Sequence, residues 1–283
     1  MNVERQKEKA DRLLGLHHEP KLLVLPNIWD PLGAGLLQEL GFPAVATASA
    51  AVAYSLGYDD GQRITFDAML EVIARIAEAV EVPLTADIES GYAESPDDLA
   101  ANVRRVLHAG AVGINLEDSF EEGGALRPIE AQCERIRAAR AIARSEGIAL
   151  VINARTDVFM QAGDRSRDDR IVETIERAQA YREAGADCIY PIPVGDLETL
   201  APIQAAVDAP LNVYASGWAA PMRELEAAGI ARLSLGPGLL KASLATMKRV
   251  ALELQNYGSY GVFTQDAPKS EEILRYVRKG NMT

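Results

Sequence analysis

The stretch Val82-Pro-Leu-Thr-Ala-Asp-Ile-Glu-Ser-Gly-Tyr-Ala93 decides the fold. An apolar run leads into two acids, Asp87 and Glu89, and the chain then breaks at Gly91. Alternate strand residues point the same way, so both acids share one face at the C-terminal end of a strand. Two carboxylates on one face repel unless something positive sits between them. A hard divalent cation, which takes oxygen ligands, is the simplest such partner.

The pattern recurs. Gly113-Ile-Asn-Leu-Glu-Asp-Ser ends in Glu117 and Asp118, and Val151-Ile-Asn-Ala-Arg-Thr-Asp ends in Arg155 and Asp157. Eight apolar runs, at 22–28, 44–49, 83–88, 112–117, 149–155, 188–193, 210–215 and 232–236, alternate with segments of helical spacing. The runs are rich in Val, Ile and Leu, as parallel strands covered on both faces are. Ser95-Pro96-Asp97-Asp98 has the chemistry of a helix start, and glycines in Ala109-Gly-Ala, Ala184-Gly-Ala and Ala228-Gly-Ile suit left-handed helix ends. Eight strand–helix units in order predict an α/β fold, a (β/α)8 barrel of the TIM type, whose strand ends build one site. Residues 1–20 hold an extra N-terminal helix, and 257–283 form an extension with a short helix from Glu271 to Arg278. With no linker visible, 1–283 is expected to be a single domain.

The bulk numbers fit. A chain of 283 residues is near the usual size of such a barrel, about 250. It is 48% hydrophobic and 25% charged, as soluble enzymes are. A net charge of −12 argues against nucleic acid, which needs clustered Lys and Arg. The longest uncharged run, Leu40 to Tyr58, is interrupted by Gly41, Pro43 and Gly57, which argues against a membrane span. It reads as a buried strand followed by a small-residue loop. Cys133 and Cys188 are far apart and without metal-ligand spacing, and the first residues lack an apolar signal core, so a reducing cytoplasm is expected.

The strand ends bring together Ser49, Ala50 and Ala51, then Asp59 and Asp60, Asp87 and Glu89, Asn115, Glu117 and Asp118, Asn153, Arg155 and Asp157, and Asn212 with Tyr214 and Ser216. Several carboxylates around one arginine suit Mg²⁺, or Mn²⁺ in its place, and an anionic, oxygen-rich substrate. Blander roles stand beside these. Arg155 can be an ion-pair partner of Asp157 or Asp187, and Asp59 a solvated loop acid. Asn153 and Asn212 can serve only the backbone, and Trp29 can be a core aromatic rather than a roof. Ser234-Leu-Gly-Pro-Gly is either a phosphate loop or a tight turn. The turn is favoured, because no cation follows before Lys241.

Leu25-Pro-Asn-Ile-Trp-Asp, Ser55-Leu-Gly-Tyr-Asp-Asp, Thr85-Ala-Asp-Ile-Glu-Ser-Gly-Tyr, Asn115-Leu-Glu-Asp and Asn153-Ala-Arg-Thr-Asp, in that order, resemble the isocitrate lyase/phosphoenolpyruvate mutase superfamily. The resemblance runs roughly from Lys21 through Ala242. It implies Mg²⁺, a 2-oxo acid or its enolate, and a homotetramer or dimer of dimers whose last barrel helix is exchanged between subunits. It implies that Asp60, Asp87, Glu89 and Glu117 surround the metal. Glu89 stands where relatives more often have aspartate. Arg155, with Asp60 and Glu117, falls in the catalytic group, and Ser49, Ala50, Ala51, Trp29 and Asn212 fall at the substrate.

The departure is the loop after the fourth strand. Lyase members carry a Lys-Lys/Arg-Cys-Gly loop with a catalytic cysteine; here the chain reads Ser119-Phe-Glu-Glu-Gly-Gly-Ala-Leu-Arg-Pro. Gly123-Gly124 is a candidate lid hinge. The resulting expectation is a Mg²⁺-dependent enzyme that cleaves or decarboxylates a small 2-oxo or 2-hydroxy acid through an enolate. The rivals are carbon–phosphorus chemistry (a phosphonopyruvate hydrolase or phosphoenolpyruvate mutase) and a non-catalytic 2-oxo-acid binder.

Overall fold

The computed structural model describes residues 3–120, 124–161, 163–265 and 267–278. Among the described residues nine short strands follow the expected runs: β1 (Leu23–Leu25), β2 (Asn27–Ile28), β3 (Val45–Thr47), β4 (Leu84–Asp87), β5 (Gly113–Glu117), β6 (Val151–Thr156), β7 (Cys188–Pro191), β8 (Asn212–Tyr214) and β9 (Arg232–Ser234). β1 and β2 are one run broken at Pro26, which has no N–H to give a ladder. Every pairing between these strands is parallel, and the order is sequential from β2 to β7. A parallel bridge between Ile189 and Leu211 joins β7 to the β8 segment, and β8 pairs with β9, which pairs with β1. The ring therefore closes as the (β/α)8 barrel read from the sequence.

Alternation along the strands sorts the side chains into two cores. Ile114, Leu116, Ile152, Ala154, Ile189, Val213 and Leu233 join the large apolar cluster that includes the helix residues Leu99, Val103, Ile136 and Leu200. The intervening residues point inward. Arg232 on β9 reaches Asn115 on β5 at 3.2 Å, which is possible only across the barrel's interior. The N-terminal helix Val3–Leu16 reaches the N-terminal end of β5: a Cβ at Gly113 would press on Leu13 Cδ2 at 2.8 Å.

The helices begin where side chains can satisfy free N–H groups. Ser95 accepts from Asp98 N ahead of Pro96–His108, as its sequence predicts, and Thr65, Ser166 and Asp196 do the same for Phe66–Ala79, Arg167–Ala184 and Leu197–Ala206. Gly185, left-handed at φ 113, closes its helix as expected. One element differs from the sequence reading. The small residues after β3 form a helix, Ser49–Ser55, not a loop. Three alanines within it favour helix strongly enough to outweigh the polar residues.

The helix Gly238–Tyr257 leaves the barrel with only Leu240 buried, and exposes Leu244, Met247, Leu252 and Leu254. The helix Ser270–Arg278 lies against Pro31–Glu39, where a Cβ at Gly35 would collide with the Tyr276 carbonyl. Among the described residues no helix is long and apolar enough to cross a membrane.

Candidate active site

A cavity of about 310 Å³ opens at the C-terminal ends of the strands. Ser49, Ala50, Asp60, Asp87, Asn115 and Arg155 are among the residues that line it. Met160, Tyr190, Ile192, Pro193, Tyr214 and Trp218 line it as well. This is the face on which barrels of this kind carry their sites.

Asp87 ends β4 and is locked in place. Its Oδ2 accepts from Ser49 N at 3.1 Å and Ser49 Oγ at 3.0 Å, while its own N–H donates to Thr47 Oγ1 at 2.8 Å. Ser49 thus orients an acid of the site as well as lining the cavity.

Glu89 is held by strained backbone. Its φ is 53°, and the other non-glycine residues of positive φ among those described are Gln62 and Tyr92. Both bind its carboxylate: Gln62 N donates to Oε2 at 2.6 Å and Tyr92 OH to Oε1 at 2.9 Å. Left-handed φ costs roughly 1 kcal/mol or more at each such residue, and strain concentrated on one carboxylate is typical of functional positions. Gly91 turns the same loop at φ 89°, where a Cβ would strike the Leu99 side chain. Burial, then the charges of Asp60 and Asp87, push the Glu89 carboxyl up to about 7.

Arg155 is the ion-pair partner of Asp157 that its sequence allowed, and it also lines the cavity. Nε and Nη2 hold Asp157 at 2.6 and 3.0 Å, and Nη1 pairs with Glu117 Oε2 at 2.9 Å. Asp187 pairs instead with Arg140. A second Nη2 hydrogen meets Met160 Sδ at 3.5 Å, so of the five N–H groups of the guanidinium one, on Nη1, is left for the cavity that Arg155 lines. Glu117 and Asp157 hold its charge well above the ordinary range against the cost of burial. Glu117 itself is 2% exposed, and burial pushes its carboxyl up.

Other expected residues stand elsewhere. Asp118 points away from the barrel's interior and anchors Thr156, Asp157 N, Arg177 and the Tyr181 hydroxyl. One residue along a strand reverses the side, so Glu117 and Asp118 part company. Ala51 and Trp29 pack with Ala48 and Leu240. Asn212 is fully buried and donates to Ser234 Oγ at 3.1 Å, below the cavity. Cys133 is buried in the helix Ile129–Ser145 and joins the apolar core. Gly123 of the candidate hinge lies outside the described residues. The turn after β9 is tight: Leu235 N and Gly236 N both donate to Asn27 Oδ1, at 2.7 and 3.0 Å, which occupies the groups a phosphate would need.

Tyr190, Met160, Tyr54, Trp218 and Lys241 also line the cavity. No motif marks Tyr190. Its signal is register, because Glu117, Arg155 and Tyr190 stand in one row across β5, β6 and β7. Burial keeps its phenol protonated far above neutral pH. Trp218, exposed at the rim, is pinned by its indole N–H donating to Pro193 O at 3.2 Å.

The donor set suits a magnesium ion held mainly through water. Among the described residues no three acidic, histidine or cysteine side chains stand close enough to share one ion directly. Mg²⁺ does not need that, since it retains several waters and binds proteins through one or two carboxylates. Burial lifts Glu89 most, and the repulsion of Asp60 and Asp87 adds to it; that repulsion is the excess of negative charge such an ion relieves.

With this geometry in view, similarity to known proteins is informative. The phosphoenolpyruvate phosphomutase family model matches residues 13–255. An uncharacterized protein of Mycobacterium tuberculosis H37Rv is 34% identical over 223 residues, 78% of this chain and 80% of that one. The 2-methylisocitrate lyase of Bacillus subtilis 168 is 32% identical over 193 residues, 66% of this chain and 60% of that one. The structure of oxaloacetate acetylhydrolase with its product oxalate superposes with a TM-score of 0.84 at 26% identity, covering 96% of this chain and 94% of that one. The chain belongs to the phosphoenolpyruvate phosphomutase family, within the isocitrate lyase/phosphoenolpyruvate mutase superfamily, and is an enzyme of the lyase type found there.

Proposed function

We propose that this enzyme cleaves a carbon–carbon bond, or decarboxylates, a small 2-oxo or 2-hydroxy carboxylic acid through an enolate, with Mg²⁺ as cofactor and Mn²⁺ able to replace it. The observation that carries this reading is one cavity lined by Asp60, Asp87, Ser49 and Arg155 at the strand ends. Asp60, Asp87 and Glu89 would hold the metal, with Glu117 behind them. When bound, the ion supplies Lewis-acid stabilisation of the negative oxygen that develops as the bond breaks.

The chain's own residues do the rest. Arg155, fixed by Asp157 and Glu117, gives its remaining Nη1 N–H to the acid's carboxylate or keto oxygen. Ser49 and Ala50 meet the same end of the substrate. Tyr190 holds its phenolic proton beside the reacting carbons, a hydrogen-bond donor that burial keeps from ionising. Ile192, Pro193 and Trp218 offer the substrate an apolar wall.

That wall, and the occupied N–H groups after β9, favour carbon–carbon over carbon–phosphorus chemistry. Turnover of oxaloacetate, substituted malates and phosphonopyruvate, with Mg²⁺ and with EDTA, tests the choice. Phosphate released from phosphonopyruvate alone would establish the rival. Stabilisation by a 2-oxo acid with no product from any of them would make the protein a binder.

The apolar residues left on Gly238–Tyr257 support a homotetramer in which this helix is exchanged between subunits, to be measured by light scattering. We further take residues 1–283 to act as one domain, and the buried thiols Cys133 and Cys188 to suit the cytoplasm.

A further inference from the structure

Below the cavity floor, Arg232 of β9 is fully buried and forms no ion pair among the described residues. An enclosed guanidinium without a carboxylate is expensive, and an apolar side chain of similar volume would fill the space at less cost. Its placement therefore asks for a role beyond packing.

Arg232 touches two residues that line the cavity. Nε donates to Ser234 Oγ at 3.2 Å, and Nη2 donates to Asn115 Oδ1 at 3.2 Å. A guanidinium only donates, so whatever faces it must accept. The Asn115 amide is thereby turned with its oxygen toward Arg232, and Asn153 Nδ2 donates to the same oxygen at 2.7 Å. The Asn115 NH₂ is left on the opposite side, toward the cavity. Ser234 Oγ likewise accepts from Arg232 and from Asn212 Nδ2 at 3.1 Å. Both of its lone pairs are then used, and its hydroxyl hydrogen is free for a group in the cavity.

We propose that Arg232 is a positioning residue that turns Asn115 and Ser234 into hydrogen-bond donors for an anionic oxygen of the substrate. This rests on the reading above that the substrate is an organic acid. The arrangement places two fixed donors on the cavity floor, separate from Arg155. Donors whose orientation is set before the ligand arrives bind an oxyanion without reorganising. Asn153 and Asn212 complete the device, since each gives its NH₂ to one of the two donors.

The test is calorimetric titration of the Mg²⁺-loaded protein with oxalate, a compact dianion, for wild type and for Asn115→Asp, Ser234→Ala, Arg232→Met and Arg232→Lys. Asn115→Asp gives Arg232 and Asn153 an acceptor in the same place, so the fold keeps its contacts while the donor is lost. Its thermal midpoint should match or exceed that of wild type, with oxalate bound about 100-fold more weakly. Ser234→Ala and Arg232→Met should each lose roughly 10-fold, the affinity of one hydrogen bond to a charged group. Arg232→Lys should recover part of the loss, since an ammonium also only donates. Folded Asn115→Asp and Arg232→Met proteins that bind oxalate within twofold of wild type would overturn the proposal and leave the functional reading standing. Wild-type protein that binds neither oxalate nor pyruvate would remove both.

Discussion

His17 lies at the end of the helix Val3–Leu16 and is 2% exposed. Its Nδ1 bonds Leu13 O at 2.8 Å, so that nitrogen carries the proton, and Nε2 has no partner among the described residues. Burial first, and the charge of Arg232 next, lower its pKa from 6.5 to about 3. In the unfolded chain the imidazole takes up a proton below 6.5, whereas in the folded protein it stays neutral until about pH 3. Stability from this residue is therefore intact above pH 6.5 and is lost progressively as pH falls toward 3. Each pH unit in that window is worth about 1.4 kcal/mol, so at pH 5 the folded state has lost about 2 kcal/mol. The perturbation is His17→Asn, whose amide can still donate to Leu13 O but does not titrate. It forfeits ring packing equally at every pH, a constant offset. Urea denaturation of both proteins at pH 8, 7, 6 and 5 reads the difference between them. That difference should shrink by about 2 kcal/mol from pH 8 to pH 5. Parallel profiles across the series would refute the assignment of a buried, neutral His17 beside a buried cation.

Four further outcomes are expected. Arg155→Lys cannot reproduce the planar grip on Asp157 and Glu117, and kcat/KM on the accepted substrate should drop about 100-fold or more; a change under threefold would remove Arg155 from the site. Gly91→Ala adds a Cβ at φ 89° against Leu99, and should cost about 2 kcal/mol or more in chemical denaturation. Asp118→Ala leaves Arg177, Thr156 and Tyr181 without their buried acceptor, and should cost about 3 kcal/mol, with a loss under 1 kcal/mol counting against its anchoring role. Mg²⁺ at 100 times its Kd should stabilise the EDTA-treated protein by about 2.7 kcal/mol. At one fixed Mg²⁺ concentration the effect should be larger at pH 8 than at pH 6, because the Glu89 carboxyl, raised to about 7, must lose its proton for its charge to favour the cation and lower the Kd. Equal thermal shifts at the two pH values would contradict that.

Much of the candidate site was legible because it follows short-range rules. Asp87, Arg155 and Ser49 stand at the ends of apolar runs, and period-two alternation puts them on the inner face without knowledge of the partners. The same rule, applied carefully, also separates Glu117 from Asp118, which composition alone had grouped. The helix Ser49–Ser55 escaped because its alanines sit among polar and glycine residues that equally suit a loop. Arg232 escaped for a different reason. It follows Ala231 inside an apolar run, and nothing nearby in sequence marks its contact with Asn115, 117 residues away.

What the amino-acid order determined by itself was the succession of strands and helices, their caps, and the family to which they belong. These depend on periodicity, on the chemistry of free helix ends and on motif order, all of which act over a few residues. Only the closed barrel decided which polar groups meet: the row of Glu117, Arg155 and Tyr190, the strained cradle of Gln62 and Tyr92 around Glu89, and the orientation of Asn115 by Arg232. Register and closure bring distant strands together, and a hydrogen bond's direction follows from which donor stands opposite, so neither can be read along the chain.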